Sequence, residues 1–408
     1  MRIYCMKSIG IQKCGTQPLY RKVGLNTVTT TNSLEYSRYR STKYYPSLDG
    51  LRAISILAVI WYHVPELRPL WQTGFLGVHL FFVISGFLIT TLLLREKAEY
   101  SRISLRNFYV RRTLRIFPAY YLTLALFLTI CLVLPDLRQN ALSIYLHNLP
   151  SFLTYTSNWF VNPWQTGRVI FVAAWSLATE EQFYLFWPSI IALSKRWYTP
   201  VIVMCVLIVA NEAVKLSAGY QFFLSGYTFP VIAINSVSTA ICLGCLLAYA
   251  LDREKSFAIA WKFLGQRWSA PVFGTIMLIA AIVPDSNNLE VGRMFFICVT
   301  MALAVGACCI RKDTVLVPML TNRPVRYIGT ISYGMYLYHA FGLNVTDRFF
   351  EFVKPWPVLH FTVVTGWTIV FASLSYWLYE RYFLRLKAKF TVHKPSIPII
   401  PEIALSAE

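Results

Sequence analysis

Charge is scarce in this chain, and acid is scarcer still. Charged residues make up 14% of its 408 positions, where a soluble domain carries about 25%. Lysine and arginine number 38 against 19 aspartates and glutamates, a net charge of +19. So little charge excludes an ordinary water-soluble domain. A basic excess alone would suit nucleic acid, but here the basic residues stand in short loops beside apolar runs, so no nucleic-acid partner is expected. The nine cysteines show no framework spacing. Cys242 and Cys245 form a C-x-x-C inside an apolar run, without the second polar pair a metal or redox site needs. They read as buried thiols, and no metal is expected. A Gly-rich phosphate loop, G-x-S-x-G and H-E-x-x-H are absent. So is the internal repeat that would support an inverted-repeat transporter.

What fills the chain is apolar sequence, 56% of residues. About 20 apolar residues cross a bilayer as a helix. Ten runs approach that length: 49–66, 75–95, 115–134, 173–194, 199–217, 229–250, 270–284, 293–310, 328–346 and 358–380. The expected fold is an all-α membrane protein, a bundle of about ten transmembrane helices. An even number puts both termini on one side, and charge bias selects the cytoplasm. The inner turns then hold Arg95 to Arg115, Lys195 and Arg196, Arg253 to Arg267, and Arg311 to Arg326. The outer turns hold only Arg68, Arg138, Arg168, Arg348 and Lys354, with Arg293 near a helix end. This places the protein in the cytoplasmic (inner) membrane as a multi-pass protein in contact with lipid. Residues 135–172 form a long outer loop. Its apolar part, 142–156, reads as a re-entrant or interfacial helix, because an eleventh span would carry Lys195 and Arg196 outside. Residues 1–47 are basic and polar without helical period or signal-peptide core, and read as a disordered cytoplasmic tail. Residues 384–408 read as a second cytoplasmic tail.

Ionisable groups inside membrane helices are costly and mark function. Arg52 and His63 are eleven residues apart, three helical turns, so both project from one face about 16 Å apart in rise. Arg112 and Arg115 neighbour each other across one turn, with Arg111 beside them. Paired guanidiniums suit a phosphate-bearing ligand. Glu180 and Glu181 open the fourth run. Ser332 and His339 share a face of the ninth. Bland readings exist for each: a snorkelling arginine, a positive-inside signal, a packing histidine, and carboxylates paired with arginine. Together they describe a polar path through the bundle.

At these residues the sequence resembles the acyltransferase 3 family of bacterial membrane O-acyltransferases. The resemblance is carried by Leu48-Asp49-Gly50-Leu51-Arg52 with His63 and by Gly77 through Thr90. It continues in Phe108 through Pro118, Trp175 through Pro188, Ile331 through His339, and Ser375 through Arg381, all in the family's order. It implies an acyltransferase 3 membrane domain over 48–383. It also implies transfer of an acyl group, commonly acetyl from acetyl-CoA, to a hydroxyl of a carbohydrate or lipid-linked acceptor at the cell surface. The family's essential arginine and histidine map onto Arg52 and His63, and its R-x-x-R onto Arg112 and Arg115. His79 departs from the aspartate many members carry. The soluble SGNH-type domain of some members is not found after the membrane part, so a second transfer step would need a separate periplasmic transferase.

The expected mechanism places acyl-CoA phosphates on Arg112 and Arg115, with Arg111 adjacent. Arg52 binds the pantetheine–phosphate end or pairs with Asp49. His63 acts as general base or carries the acyl group as acyl-histidine, and the sequence leaves both open. Glu180 or Glu181 orients an imidazole or binds acceptor hydroxyls, and His339 joins the catalytic set. The competing class is a multi-pass exporter of a sugar-linked substrate using the same groups as a relay. A non-catalytic membrane scaffold would leave the shared face of Arg52 and His63 without a purpose.

Overall fold

The structure is a computed structural model and describes residues 33–67, 72–162, 171, 174–218, 226–283 and 289–390. Among the described residues there is no β-strand, as lipid demands of an open chain: only helices satisfy every backbone group internally. Helix α1 covers 33–41. It is followed by α2 (Pro46–His63), α3 (Leu76–Tyr100), α4 (Leu105–Val133), α5 (Leu142–Leu153), α6 (Ala174–Leu193) and α7 (Tyr198–Ala218). The second half holds α8 (Phe229–Asn235), α9 (Thr239–Asp252), α10 (Glu254–Leu264), α11 (Ser269–Ile282), α12 (Glu290–Ile310), α13 (Arg323–Phe349), α14 (Pro357–Ser375) and α15 (Arg381–Leu386).

Helix ends follow local chemistry. In α2, Pro46 and Asp49 occupy the first turn, where a proline loses no bond and a carboxylate meets the positive end of the helix dipole. Pro65 then pushes Val64 to extended backbone, φ −82° and ψ 109°, and the helix stops at His63. In α13 the side chain of Asn322 caps the start by accepting the Val325 N–H at 2.9 Å,.

Each of the ten apolar runs carries a helix. Among the described residues, five segments are long and apolar enough to cross a membrane: Thr73–Tyr100, Leu105–Val133, Tyr198–Ala218, Glu290–Ile310 and Pro357–Leu386. There are six if α8 and α9, bent by 55°, count as one broken span. α11, at 14 residues, rises only about 21 Å. The 12-residue α5 in the expected outer loop rises about 18 Å and is too short to span a core of about 30 Å. The α8–α9 break is held by polar side chains. Asn211 donates to the carbonyls of Ile234 and Asn235 at 2.8 and 3.1 Å, which satisfies backbone the bend has freed.

α3 and α12 form the interior, whereas α7 is peripheral and exposes Ile202, Val206, Val209 and Leu216. An apolar exterior is the normal condition of a protein whose solvent is hydrocarbon. α3 crosses α9 closely: a β-carbon on Gly244 would lie 2.3 Å from the Val83 carbonyl oxygen, so only glycine admits the crossing. The Cys245 thiol donates to the Gly86 carbonyl at 3.7 Å in the same seam. Cys242, Cys298, Cys308 and Cys309 are buried too.

Both flanks are more ordered than their composition led us to expect. Residues 33–47 of the expected tail are docked. Tyr39 and Tyr45 are buried, Arg95 donates to the Tyr39 carbonyl at 3.0 Å, and Arg40 pairs with Asp252. Aromatic burial and two cross-chain arginine contacts outweigh the polar, basic composition there. At the other end, residues 384–390 continue as helix and turn against α4. The rest of both expected tails, 1–32 and 391–408, lies outside the described residues, as do Arg68 and Arg168.

Candidate active site

α2 and α13 run parallel and touch at both ends. At the first end a β-carbon on Gly329 would fall 2.0 Å from the Asp49 carbonyl oxygen, so the two backbones are in direct contact. At the other end the rings of His63 and His339 meet, centroids 4.7 Å apart and planes at 62°. Each Nδ1 lies against a carbonyl of its own helix: His63 on Val59 at 2.8 Å and His339 on Tyr336 at 2.6 Å. A carbonyl oxygen only accepts, so each Nδ1 carries a proton and donates. The neutral rings then hold their lone pairs at Nε2, the atom available to take a proton or an acyl group. His339 is buried.

At the opposite end of α2, Arg52 donates to Asp49 Oδ1 at 3.2 Å. The other oxygen of that carboxylate accepts the Tyr44 hydroxyl. Arg115 stands within electrostatic reach of Arg52, Arg112 and Asp49. Arg112 lies over the Tyr184 ring at 4.5 Å, a cation–π contact. Arg111 is employed differently. It donates to Glu96 Oε2 at 3.2 Å and to the Phe390 carbonyl at 2.8 Å, which makes it a strut between α3, α4 and the C-terminal segment. Thus the structure gathers Arg52, Arg112 and Arg115, and commits Arg111 to its neighbours.

Glu180 accepts hydrogen bonds from the Tyr184 hydroxyl at 2.5 Å and from Ser85. Glu181 is half-buried beside Glu180 and Arg112. It lies within electrostatic reach of the hydroxyls of Tyr120, Tyr155 and Tyr333. The histidine Nδ1 atoms are oriented by backbone carbonyls and not by these carboxylates. α6 reaches the histidines another way: Ser176 shares a 2.5 Å hydrogen bond with the Tyr336 hydroxyl, and Tyr336 carries the carbonyl that holds His339.

Two groups escaped sequence reasoning. His360 on α14 is fully buried, with Nδ1 2.9 Å from Glu66 Oε2 and Nε2 3.2 Å from Asp347 Oδ1. It ties the turn after α2 to the end of α13, next to the histidine pair. The signal was an ionisable residue inside the tenth apolar run, but its partners lie in distant turns. Glu380 is buried in a π-helical turn, Tyr376–Glu380, where it accepts from Ser375 at 2.8 Å and faces the charge of Arg115. π-Turns inside membrane helices often mark functional sites. Among the described residues no group of three or more histidines, cysteines and carboxylates is placed to hold a metal.

"Putative O-acetyltransferase SACOL0978" of Staphylococcus aureus (strain COL) is 30% identical over 382 residues, 88% of this chain and 61% of that protein. "Putative peptidoglycan O-acetyltransferase YrhL" of Bacillus subtilis (strain 168) is 32% identical over 371 residues, 85% and 56% of the two chains. "O-acetyltransferase OatA" of Staphylococcus aureus (strain NCTC 8325 / PS 47) is 29% identical over 356 residues, 82% and 56%. The chain therefore spans less than two thirds of the length of these relatives. No solved structure matches. The family model described as "Acyltransferase domain" matches residues 45–377, from just before α2 into the π-turn after α14, and so takes in the histidine pair, the arginine cluster and both carboxylates. The chain belongs to the acyltransferase 3 family.

Proposed function

We propose that this protein is a membrane O-acetyltransferase that moves acetyl from acetyl-CoA to a hydroxyl of a cell-surface or exported carbohydrate. One observation carries the reading. A single helix, α2, places Arg52 of the guanidinium cluster at one end and His63 of the imidazole pair at the other, about 16 Å apart in rise,. The extended pantetheine arm of CoA covers that distance. Arg112, Arg115 and Arg52 hold the phosphates, and the thioester lies at His63 and His339. The Nε2 of one imidazole takes the proton of the acceptor hydroxyl as its oxygen bonds to the thioester carbonyl carbon. The C–S bond then breaks, and the imidazolium returns the proton to the departing thiolate. In the alternative order the Nε2 of one imidazole attacks the thioester carbonyl and the C–S bond breaks to release CoA as its thiolate; the acceptor hydroxyl then attacks the acetyl-imidazole, the N–acetyl bond breaks, and the hydroxyl proton passes to the second imidazole.

The same reading sets the orientation. CoA is a cytosolic donor, so the arginine end faces the cytoplasm, in line with the bias of basic residues towards the turns on that side. In the proposed topology, about ten spans of an inner-membrane bundle with both termini in the cytoplasm, the histidine pair lies about three helical turns further into the membrane than the arginine end. The relatives named for O-acetyl transfer, one of them to peptidoglycan, support a surface-carbohydrate acceptor.

The test is ester-linked acetyl on cell-surface glycans, measured by mass spectrometry in wild type, a deletion strain and His63→Ala shown to reach the membrane at normal level. Loss of acetyl in both altered strains is expected. Full acetylation in His63→Ala would remove His63 from the mechanism. Glycan export that changes without any change in acetylation would turn the reading to a transporter.

A further inference from the structure

We propose that Lys387, on the segment that follows α15, is a phosphate-binding residue of the donor site and completes the cradle begun by Arg52, Arg112 and Arg115. This rests on the acetyl-CoA reading above. The segment is tied to α4 through Arg111. Its Phe390 carbonyl accepts Arg111 at 2.8 Å, and Arg111 is itself held by Glu96 at 3.2 Å. The turn Lys387–Phe390 therefore packs on α4, which brings the Lys387 ammonium within electrostatic reach of Arg52, Arg111, Arg112 and Arg115.

Such a gathering is unfavourable by itself, because like charges in a partly dry site repel. The carboxylates on the packed elements are already employed. Asp49 on α2 serves Arg52 and Tyr44. Glu96 on α3 serves Arg111 and the Ser104 N–H. Glu380 in the π-turn accepts from Ser375. The charges that act most on Lys387 are thus the four arginines, while Glu181 faces Arg112 and Glu380 faces Arg115; the cations gathered about Lys387 have the electrostatic form of a polyphosphate site. The roles divide by chemistry: the guanidiniums are rigid forks, whereas a lysine is a point charge on a flexible stem that can follow a phosphate as the donor enters. A surface lysine with no ligand would turn to water. Burial and the four arginines push the Lys387 ammonium down to about 8, and a bound phosphate would raise it again. Donor affinity should therefore fall as pH rises past about 8.

The experiment uses the full chain in nanodiscs of zwitterionic phosphatidylcholine, so that no anionic lipid competes, with coenzyme A titrated by calorimetry. Lys387→Gln should weaken binding about tenfold or more, the scale of a lost charge-assisted hydrogen bond. Lys387→Arg should bind like wild type, and Lys389→Gln, on the exposed neighbour, should change nothing. Wild type should lose affinity above about pH 8, and Lys387→Arg should not. If wild type fails to bind coenzyme A, the acetyl-CoA reading itself fails. If wild type binds and Lys387→Gln binds equally, the assignment of Lys387 is overturned, and an anionic lipid headgroup is the better occupant of that charge. Should Lys387→Gln not fold, the arginine variant decides: a profile that still falls above pH 8 overturns the assignment.

Discussion

His63 and His339 belong to different helices and face each other edge to plane at 4.7 Å, each anchored through Nδ1 to its own backbone. On the proposed mechanism the two act as one unit, and their substitutions should behave as one. His63→Ala and His339→Ala should each lower the acetyl-transfer rate about 10²–10⁴-fold. The double variant should be little slower than the worse single, as for groups that act together. Rates measured in proteoliposomes that multiply independently would separate the roles.

The arginine cluster should resist charge-preserving change. Arg112→Lys and Arg115→Lys keep the charge that a topological signal needs but lose the planar fork. We expect the KM for acetyl-CoA to rise about tenfold with kcat less affected and with normal membrane insertion. A steady-state titration of the donor in each variant checks this, and wild-type KM values would return both arginines to topology alone. Arg111→Lys should instead act on stability, because its partners are Glu96 and the Phe390 carbonyl.

His360 should be a structural clasp. Its removal takes a fully buried ring from between Glu66 and Asp347, which are themselves partly exposed, so His360→Ala should destabilise the fold by about 1–3 kcal/mol, the scale of a lost hydrogen bond to a charged group. Combining His360→Ala with Glu66→Gln should recover part of the loss, as expected for neighbours that couple. Thermal unfolding in detergent would show it. Equal melting temperatures for wild type and His360→Ala would end this account.

Gly329 should tolerate no side chain. A β-carbon there meets the Asp49 carbonyl at 2.0 Å, backbone that cannot step aside. Gly329→Ala should cost about 1–3 kcal/mol and lower activity beyond that loss, because it displaces α13 from α2. Gly366→Ala on α14, where nothing lies within 4 Å, is the matched control, and melting and rate data on the pair decide the matter.

What could be read from the sequence was local or periodic. Arg52 and His63 fall on one face because eleven residues close three turns, and the ten apolar runs became helices for the same reason. What escaped was set by contacts across the chain. No periodicity brings Glu66 and Asp347 to His360. Lys387 looked like tail because charge is read as solvent until something is seen docked on it. Residues 33–47 looked disordered because Tyr39 and Tyr45 find their burial on other helices, against Phe257 and Phe87. Arg111 shares its spacing with Arg112 and Arg115, yet Glu96 and the Phe390 carbonyl claim it. The break between α8 and α9 hides inside an apolar run, since its polar support comes from Asn211 on another helix.

Because each imidazole is tethered to the backbone it grows from, neither ring can adjust its aim by rotating alone. The separation of the two Nε2 atoms is a property of how α2 and α13 lie against each other, much as the gap of a vice belongs to its jaws. Contact between Asp49 and Gly329 fixes one end of that pair, and the Glu66–His360–Asp347 clasp fixes the other. A small slide of one helix along the other would open or close the gap with every rotamer unchanged. On the proposed reading, donor phosphates drawn to Arg52 would pull on the very helix that carries His63, so occupancy at the arginine end would be felt as alignment at the histidine end.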